Sequence, residues 1–296
     1  MIQPTRPRVS TRIVEYSVIP SCSQTGAFHA SRPSRPRRPP PRRPPSRPRP
    51  RPRETSSTTR NHFLRCFSGR LYDNDSQKWI TGSKGMTDSL SFYKELYDKG
   101  LATPLDLALD PTIGSRVSTE LIPQGKIAMA IDGSWLPGGW MTGEHAWPAW
   151  QQTMGLAKMP TQTGAEPGAT SMSGGWTLAV GSQTKHPKTA FDFISMALNK
   201  ENTLKYDTEN SQIAVRDDVA TSQDYLGYNP TFKFFVDLVK VTHFRPATPD
   251  YSQISSALQQ ATESVITGDA SPQQAAKTYD DALTKIVGAQ KVKQGD

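Results

Sequence analysis

The chain has 296 residues, of which 35% are hydrophobic and 21% are charged, and its formal net charge is +8. The charge is unevenly placed, because residues 1–70 carry 16 of the 35 Lys and Arg side chains with two acidic ones, which leaves the rest of the chain at −6. The sequence contains no run of 18 apolar residues, which excludes a membrane-spanning helix. The mild negative charge of residues 71–296 argues against a nucleic-acid-binding surface there.

The first 70 residues are dominated by a segment of very low complexity. Residues 32–53 consist of ten Arg, ten Pro and two Ser. Since Pro lacks an N–H and the like charges repel without apolar surface to bury, we expect residues 1–70 to be a disordered Arg/Pro-rich segment. It is interpretable as a basic arm for nucleic acid or anionic membrane. We favour a second interpretation, that it is GC-rich DNA read from a wrong start or frame without an evolved role, because random-looking residues flank the run on both sides.

Residues 71–296 read as ordinary folded protein. Apolar residues at helical spacing predict several helices. These cover Thr87–Lys99, a helix from Pro187 through Leu198, one around Phe232–Val239, one over Ile254–Val265 ending at Gly268, and one from Pro272 that Ser271 and Gln274 open with a capping box. Short apolar runs at Ile127–Ile131 and Trp176–Val180 predict strands, the first buried on both faces. Short buried strands among long helices favour an α/β class.

The sequence offers no motif for catalysis or for metal binding. Its five His residues are scattered without a second ligand at zinc spacing, and no phosphate-binding Gly-rich loop is present. Asp73 and Asp75 begin like a calcium loop, but the Gly and Glu that such a loop requires are missing. Both Cys residues lie in the first 70 positions. We therefore predict no catalytic residue, no metal and no cofactor.

Five of the six tryptophans fall between positions 135 and 176. Two of them follow Gly-containing turns: Trp135 comes directly after the first predicted strand, and Trp176 follows Gly174-Gly175 where the second predicted strand begins. Ligands of open α/β sheets bind beyond the carboxyl ends of strands, and an indole can lie flat against the C–H face of a sugar. We therefore favour ligand contact for these two residues. For Trp147 and Trp150 we favour a structural role in anchoring the loops.

Four segments, in this order, resemble a known family. They are Ser91–Leu101, Gln124–Trp135, Gly174–Val180 with the following Lys185-His186-Pro187 and its helix, and the pair of helices around Gly268. Together they resemble the extracellular solute-binding proteins, family 1, of bacterial ABC sugar importers. The resemblance implies an α/β, periplasmic-binding-protein-like type II fold. It would be incomplete, comprising mostly the second lobe plus the returning part of the first lobe.

The resemblance also implies a function and a set of binding residues. Members are non-catalytic carbohydrate-binding components of ABC transporters, in which two lobes close around a saccharide and then dock on a membrane permease. The implied ligand-binding residues here are Asp132, Trp135, Gly174, Gly175, Trp176 and Tyr251. The Tyr251 contact departs from the family pattern, because Ser255 and Ser256 stand where some members have aromatic residues.

The N-terminal part departs from the family as well. Members are extracytoplasmic, lipid-anchored proteins with a signal peptide, whereas this chain lacks a recognisable one and would be cytoplasmic if expressed as written. Because the Arg/Pro segment stands in place of most of the first lobe, we expect an N-terminally truncated member with impaired binding. Two alternatives remain open: a basic-tailed nucleic-acid or membrane-surface adaptor, and a carbohydrate-active enzyme using carboxylates such as Asp132 and Glu144, although nothing in the sequence pairs them.

Overall fold

The computed structural model describes residues 64–108, 113–175 and 177–295. In chain order the helices are α1 (Lys84–Asp98), α2 (Leu105–Ala108), α3 (Ile113–Arg116), α4 (Trp135–Met141), α5 (Trp150–Thr153), α6 (Pro187–Ala197), α7 (Lys200–Glu209), α8 (Asp217–Ala220), α9 (Gln223–Leu226), α10 (Phe232–Leu238), α11 (Tyr251–Ile266) and α12 (Pro272–Val287). The strands are β1 (Tyr72–Asp73), β2 (Lys78–Thr81), β3 (Met159–Pro160), β4 (Ala169–Met172), β5 (Thr242–His243) and β6 (Val292–Gln294). In this part of the chain no helix is both long and apolar enough to cross a membrane.

The largest core joins the first described residues to the C-terminus. Strand β2 pairs antiparallel with β1 and parallel with β6, so that Trp79 lies opposite Val292. Helices α1, α11 and α12 pack beside this sheet, and their apolar sides close the core. Leu64, which precedes the predicted boundary at Leu71, is also buried in it. Each fully buried aliphatic or aromatic side chain contributes about 1.5–3 kcal/mol, so this core is the main source of stability among the described residues.

The predicted helices are confirmed, and their ends have local causes. Helix α1 is followed by Gly100 and helix α11 by Gly268, both with positive φ, a conformation that disfavours side chains with a Cβ atom. Helix α12 begins with the predicted capping box, in which the Gln274 N–H donates to Ser271 Oγ at 3.2 Å and the Ser271 N–H donates to Gln274 Oε1 at 2.9 Å.

A second small sheet and two smaller cores build the middle of the chain. Strand β4 pairs antiparallel with β3 and parallel with β5. One core is formed by Ile122, Trp140 and Trp150. The other is formed by Val219, Tyr225 and Phe232, where the two aromatic rings stack with centroids 4.2 Å apart.

The strand predicted over Ile127–Ile131 is wrong. Ile127 is half-buried against the tryptophan core, but Met129 is 89% exposed and Ile131 is exposed as well. Within the described residues, the backbone groups of residues 127–131 make no hydrogen bond. A strand requires a second strand to pair its N–H and C=O groups, and no such partner lies beside this run among the described residues.

The strand predicted over Trp176–Val180 is also wrong. Trp176 lies outside the described residues, and Thr177–Val180 are neither in a strand nor hydrogen-bonded through their backbone to any described residue. The strand in this region lies earlier, at β4, because Ala169–Met172 find partners on both sides. The sequence of β4, Ala-Thr-Ser-Met, is too polar and too short to reveal itself through periodicity.

One buried carboxyl group stands out in the helical region. Asp207 of α7 is only 2% exposed, and its Oδ2 atom has no hydrogen-bond partner among the described residues. Burial raises the pKa of Asp207 to about 7. An acid whose pKa is raised by folding holds its proton in the folded chain at pH values where the unfolded chain has released it. Stability is therefore lost as pH rises from the ordinary Asp pKa of 3.8 toward 7.

We expect Asp207→Asn to remove this pH dependence. Each unit of pKa difference corresponds to about 1.4 kcal/mol. The free energy of unfolding of the variant should therefore exceed that of the parent by a few kcal/mol at pH 8 and match it near pH 3.5. Urea unfolding at both pH values measures the difference. Asp224→Asn, at an exposed position on α9, is the matched control and should leave the pH profile unchanged. A parent-like pH profile in Asp207→Asn would contradict the assignment.

Candidate functional site

The loop that precedes α4 carries the best-formed group of predicted site residues. The Gly133 N–H donates to Asp132 Oδ1 at 2.8 Å, and Ser134 is buried beneath the loop. Trp135 begins α4 and is 38% exposed, so part of its ring remains accessible to solvent. Residues 132–135 thus place an accessible indole beside a carboxylate.

Gly133 is required by the position of the indole. A Cβ atom added at Gly133 would lie 2.2 Å from the Trp135 ring, well inside van der Waals contact. The ring therefore folds back over the glycine, and a larger residue would displace it. Small residues before the tryptophan are consequently part of what orients the ring.

The electrostatics of this loop centre on Asp132. The residue is accessible to solvent, yet the surrounding protein desolvates its carboxyl group and raises its pKa. The Gly133 N–H and the Trp135 side chain act in the opposite direction and stabilise the ionised form. A partly desolvated carboxylate is a strong hydrogen-bond acceptor. Beside an indole ring it suits a ligand with hydroxyl donors on one side and C–H groups on another.

The predicted Gly174–Gly175 turn is held by its neighbours in the second sheet. It follows β4, and the preceding residue Ser173 is fixed to β5 by two bonds. The Ser173 N–H donates to the His243 carbonyl at 3.0 Å, and the Ser173 and Thr242 hydroxyls lie 2.8 Å apart. Both glycines are half-buried. Trp176, which we predicted to contact the ligand, lies outside the described residues.

Tyr251 is anchored to a different part of the molecule. It begins α11 and packs, half-buried, against the main core. The Arg245 guanidinium carbon lies 5.9 Å from the centre of its ring, a distance at which a cation is attracted to the ring face. The structure therefore groups Asp132 with Trp135, whereas it fixes Gly174 and Gly175 to the second sheet and Tyr251 to the helical core.

The other tryptophans are structural, as predicted for Trp147 and Trp150. Trp150 is buried, Trp147 packs against the same core, and both lie beside Trp140, with ring centroids 6.1 and 5.4 Å from it. The Trp140 Nε1–H donates to the Ser118 carbonyl at 2.7 Å, which satisfies its polar atom inside the core. Trp135 is thus the described tryptophan of this group whose ring is most available to a ligand.

Sequence reasoning missed a depression between the two small sheets. It is lined by Arg65, Leu71, Tyr72, Met172, His243, Phe244 and Pro246. The lining residues come from both sheets. A backbone hydrogen bond also joins these two parts of the chain, because the Gln162 N–H donates to the Cys66 carbonyl at 2.8 Å. Only the run His243-Phe244-Arg245 at the end of β5 could have indicated this place from the sequence, and such a run is too common to be used alone.

Comparison with known proteins identifies the class of this chain. The sequence model of the bacterial extracellular solute-binding protein family matches residues 47–204. The chain belongs to this family. A probable ABC transporter-binding protein from Deinococcus radiodurans is 31% identical over 138 residues, which are 46% of this chain and 32% of that protein.

Solved structures show the same fold. Maltose-bound MalE3 of T. maritima matches with a TM-score of 0.66 at 17% identity, over 79% of this chain and 58% of that one. The GacH receptor of Streptomyces glaucescens, solved unliganded and with acarbose, matches with a TM-score of 0.66 at 20% identity, over 80% and 58%. The cyclic alpha-maltosyl-1,6-maltose binding protein of Arthrobacter globiformis matches with a TM-score of 0.60 at 21% identity, over 79% and 56%.

These matches confirm the predicted family and the predicted fold class, an α/β fold of the periplasmic-binding-protein type II. The chain spans about a third of the length of the Deinococcus relative and little more than half the length of the three solved structures.

We expect Gly133→Ala to move the Trp135 ring into solvent, because the new methyl group would occupy the space that the ring now fills. Acrylamide quenching of tryptophan fluorescence measures the change. Gly139→Ala is the matched control, since a Cβ atom there meets nothing within 4 Å. The increase in quenching should disappear when Gly133→Ala is combined with Trp135→Phe. If it persisted, a different tryptophan would be responsible.

Proposed function

We propose that the chain is a non-catalytic carbohydrate-binding component of a bacterial ABC importer. The observation that carries the proposal is the accessible Trp135 ring beside the Asp132 carboxylate. A pyranose offers C–H groups on its face and hydroxyl groups on its edge. It therefore matches a site that pairs an aromatic surface with a hydrogen-bond acceptor.

The family assignment and the ligands of the structural relatives support this choice of ligand class. Maltose and acarbose are bound in two of the neighbours, and a further one from Thermotoga lettingae holds α-D-tagatose. The proposal extends to a membrane permease as the partner of the ligand-bound protein and to an extracytoplasmic location. Gly174, Gly175, Trp176 and Tyr251 remain proposed ligand contacts, and residues 71–296 remain the proposed solute-binding portion.

We expect saccharide binding by the chain alone to be weak, with a dissociation constant on the order of 1 mM, equivalent to about −4 kcal/mol. The cause is that the Trp135 loop covers a ligand from one side, whereas tight small-molecule sites enclose most of the ligand surface. Fluorine NMR of protein labelled with 5-fluorotryptophan suits this range. Titration with maltose and maltotriose should shift the resonance that Trp135→Phe removes.

The matched control is Trp147→Phe, which alters a packed tryptophan of the same region. It should leave the saccharide-dependent shift intact, while Trp135→Ala should weaken binding at least about tenfold, in line with loss of an aromatic contact at the centre of a site. Shifts confined to the packed tryptophans, or none at all with any saccharide tested, would refute the proposed site.

Binding should also weaken as pH falls. The ionised Asp132 carboxylate accepts hydrogen bonds from ligand hydroxyls, and protonation removes part of that capacity. Because the pKa of Asp132 is raised, the loss should begin above the ordinary Asp pKa of 3.8. Titrations between pH 4 and 7.5 measure it. Asp132→Asn should bind more weakly at neutral pH and show no such dependence, and a pH-dependent variant would assign the effect to another group.

A further inference from the structure

The depression between the two small sheets is lined by a positive charge that no described carboxylate neutralises. Arg65 lines it and is half-buried. Burial lowers the pKa of the Arg65 guanidinium, and the nearby charge of Arg70 lowers it further. An arginine keeps its charge in a protein, and a desolvated charge without a counter-ion costs free energy. The depression is therefore suited to a negatively charged group.

The charged side chains close to Arg65 in the chain and in the depression leave this requirement unmet. None of the lining residues is acidic. The carboxylate of Asp73, in β1, already accepts hydrogen bonds from Lys293 Nζ and from Ser76 Oγ. Arg245 adds a further cation to this region, with its guanidinium over the ring of Tyr251. Among the described residues, the counter-ion of Arg65 is absent.

The backbone that carries Arg65 is held in place on both sides. Leu64 and Cys66 are buried, with exposed fractions of 1% and 5%. The Gly69 N–H donates to the Leu64 carbonyl at 2.8 Å, and the Ser68 N–H donates to the Arg65 carbonyl at 3.1 Å. A charged side chain on a fixed backbone loses less conformational freedom on binding than one on a mobile loop. The guanidinium is thus already positioned at the depression.

The opposite wall of the depression is mostly apolar. Met172 and His243 are paired at the ends of β4 and β5, and Phe244 follows with 45% of its side chain exposed. Leu71, Tyr72 and Pro246 complete the lining. The depression is small and partly open to solvent, so it accommodates the charged head of a ligand. The exposed ring of Phe244 is then available to an apolar body attached to that head.

We propose that this depression binds a small organic anion, whose carboxylate pairs with Arg65 and whose apolar body lies against Phe244. The planar fork of an arginine matches the two oxygens of a carboxylate, and a single lining guanidinium matches a single negative charge. Small-ligand sites combine apolar walls with a few polar groups in this way. None of the lining residues is a proposed carbohydrate contact, so the proposal does not rest on the proposed function.

The test follows Met172, which gives a signal from the lining itself. The full chain is labelled with [methyl-13C]methionine, and Met172→Leu identifies the resonance among the eight methionines. Titration with benzoate should shift the Met172 methyl resonance to saturation, while that of Met129, which does not line the depression, stays in place. Benzyl alcohol has the ring without the charge and acetate has the charge without the ring. Both should bind at least tenfold more weakly than benzoate.

Variants separate the charged contact from the apolar one. Arg65→Gln should weaken benzoate binding at least tenfold, and Arg65→Lys should retain part of it because the charge remains. Phe244→Ala should weaken benzoate binding but leave acetate binding unchanged, and it should fold normally because the ring is largely exposed. The methionine spectrum of each variant without ligand reports whether it is folded, and Phe244→Ala keeps the test decisive if Arg65→Gln unfolds.

The Arg/Pro-rich segment requires its own control, because its many arginines attract anions. Arg47→Gln removes one charge from that segment and should leave the Met172 shift unchanged. Three results would overturn the proposal: no saturable shift of Met172 with benzoate, equal binding of benzyl alcohol or acetate, or an equal loss in Arg47→Gln and Arg65→Gln. All titrations are made without saccharide, so their outcome is independent of the Trp135 loop.

Discussion

The pairing of extended backbone determines how this chain is organised. Strand β2 exists because β6, more than 200 residues away, pairs with it in parallel, and this pairing holds the first described residues against helices α11 and α12. Strand β4 exists because β3 and β5 lie on either side of it. Where an apolar run finds no such partner among the described residues, as at residues 127–131, its backbone makes no hydrogen bond to them, and Met129 and Ile131 stay exposed.

The same constraint explains which features the sequence could predict. Helices satisfy their hydrogen bonds locally, so periodic apolar residues and signals such as Ser271 and Gly268 are enough to place α11 and α12 within a few residues. Strands depend on distant partners. An apolar run such as Ile127–Ile131 indicates only that the segment is suited to a strand, and it does not indicate whether a partner strand lies beside it. The polar strand β4 is the opposite case. Its sequence carries no periodic signal, yet it forms a strand because β3 and β5 pair with it. The Gly-Ser-Trp turn before α4 is local and is recognisable in the sequence, but the strand predicted to precede it is not formed, and the depression at His243 required the tertiary structure.

The binding loop and the buried carboxyl group illustrate two different uses of desolvation. At Asp132 the protein surrounds a carboxyl group that solvent still reaches, and two nearby donors stabilise its ionised form. Such a group is available to a ligand. At Asp207 the carboxyl group is enclosed in a helical region, and desolvation alone raises its pKa. That group lowers stability as pH rises from 3.8 toward 7 and is enclosed away from any ligand. A raised pKa therefore identifies a site only together with access and donors.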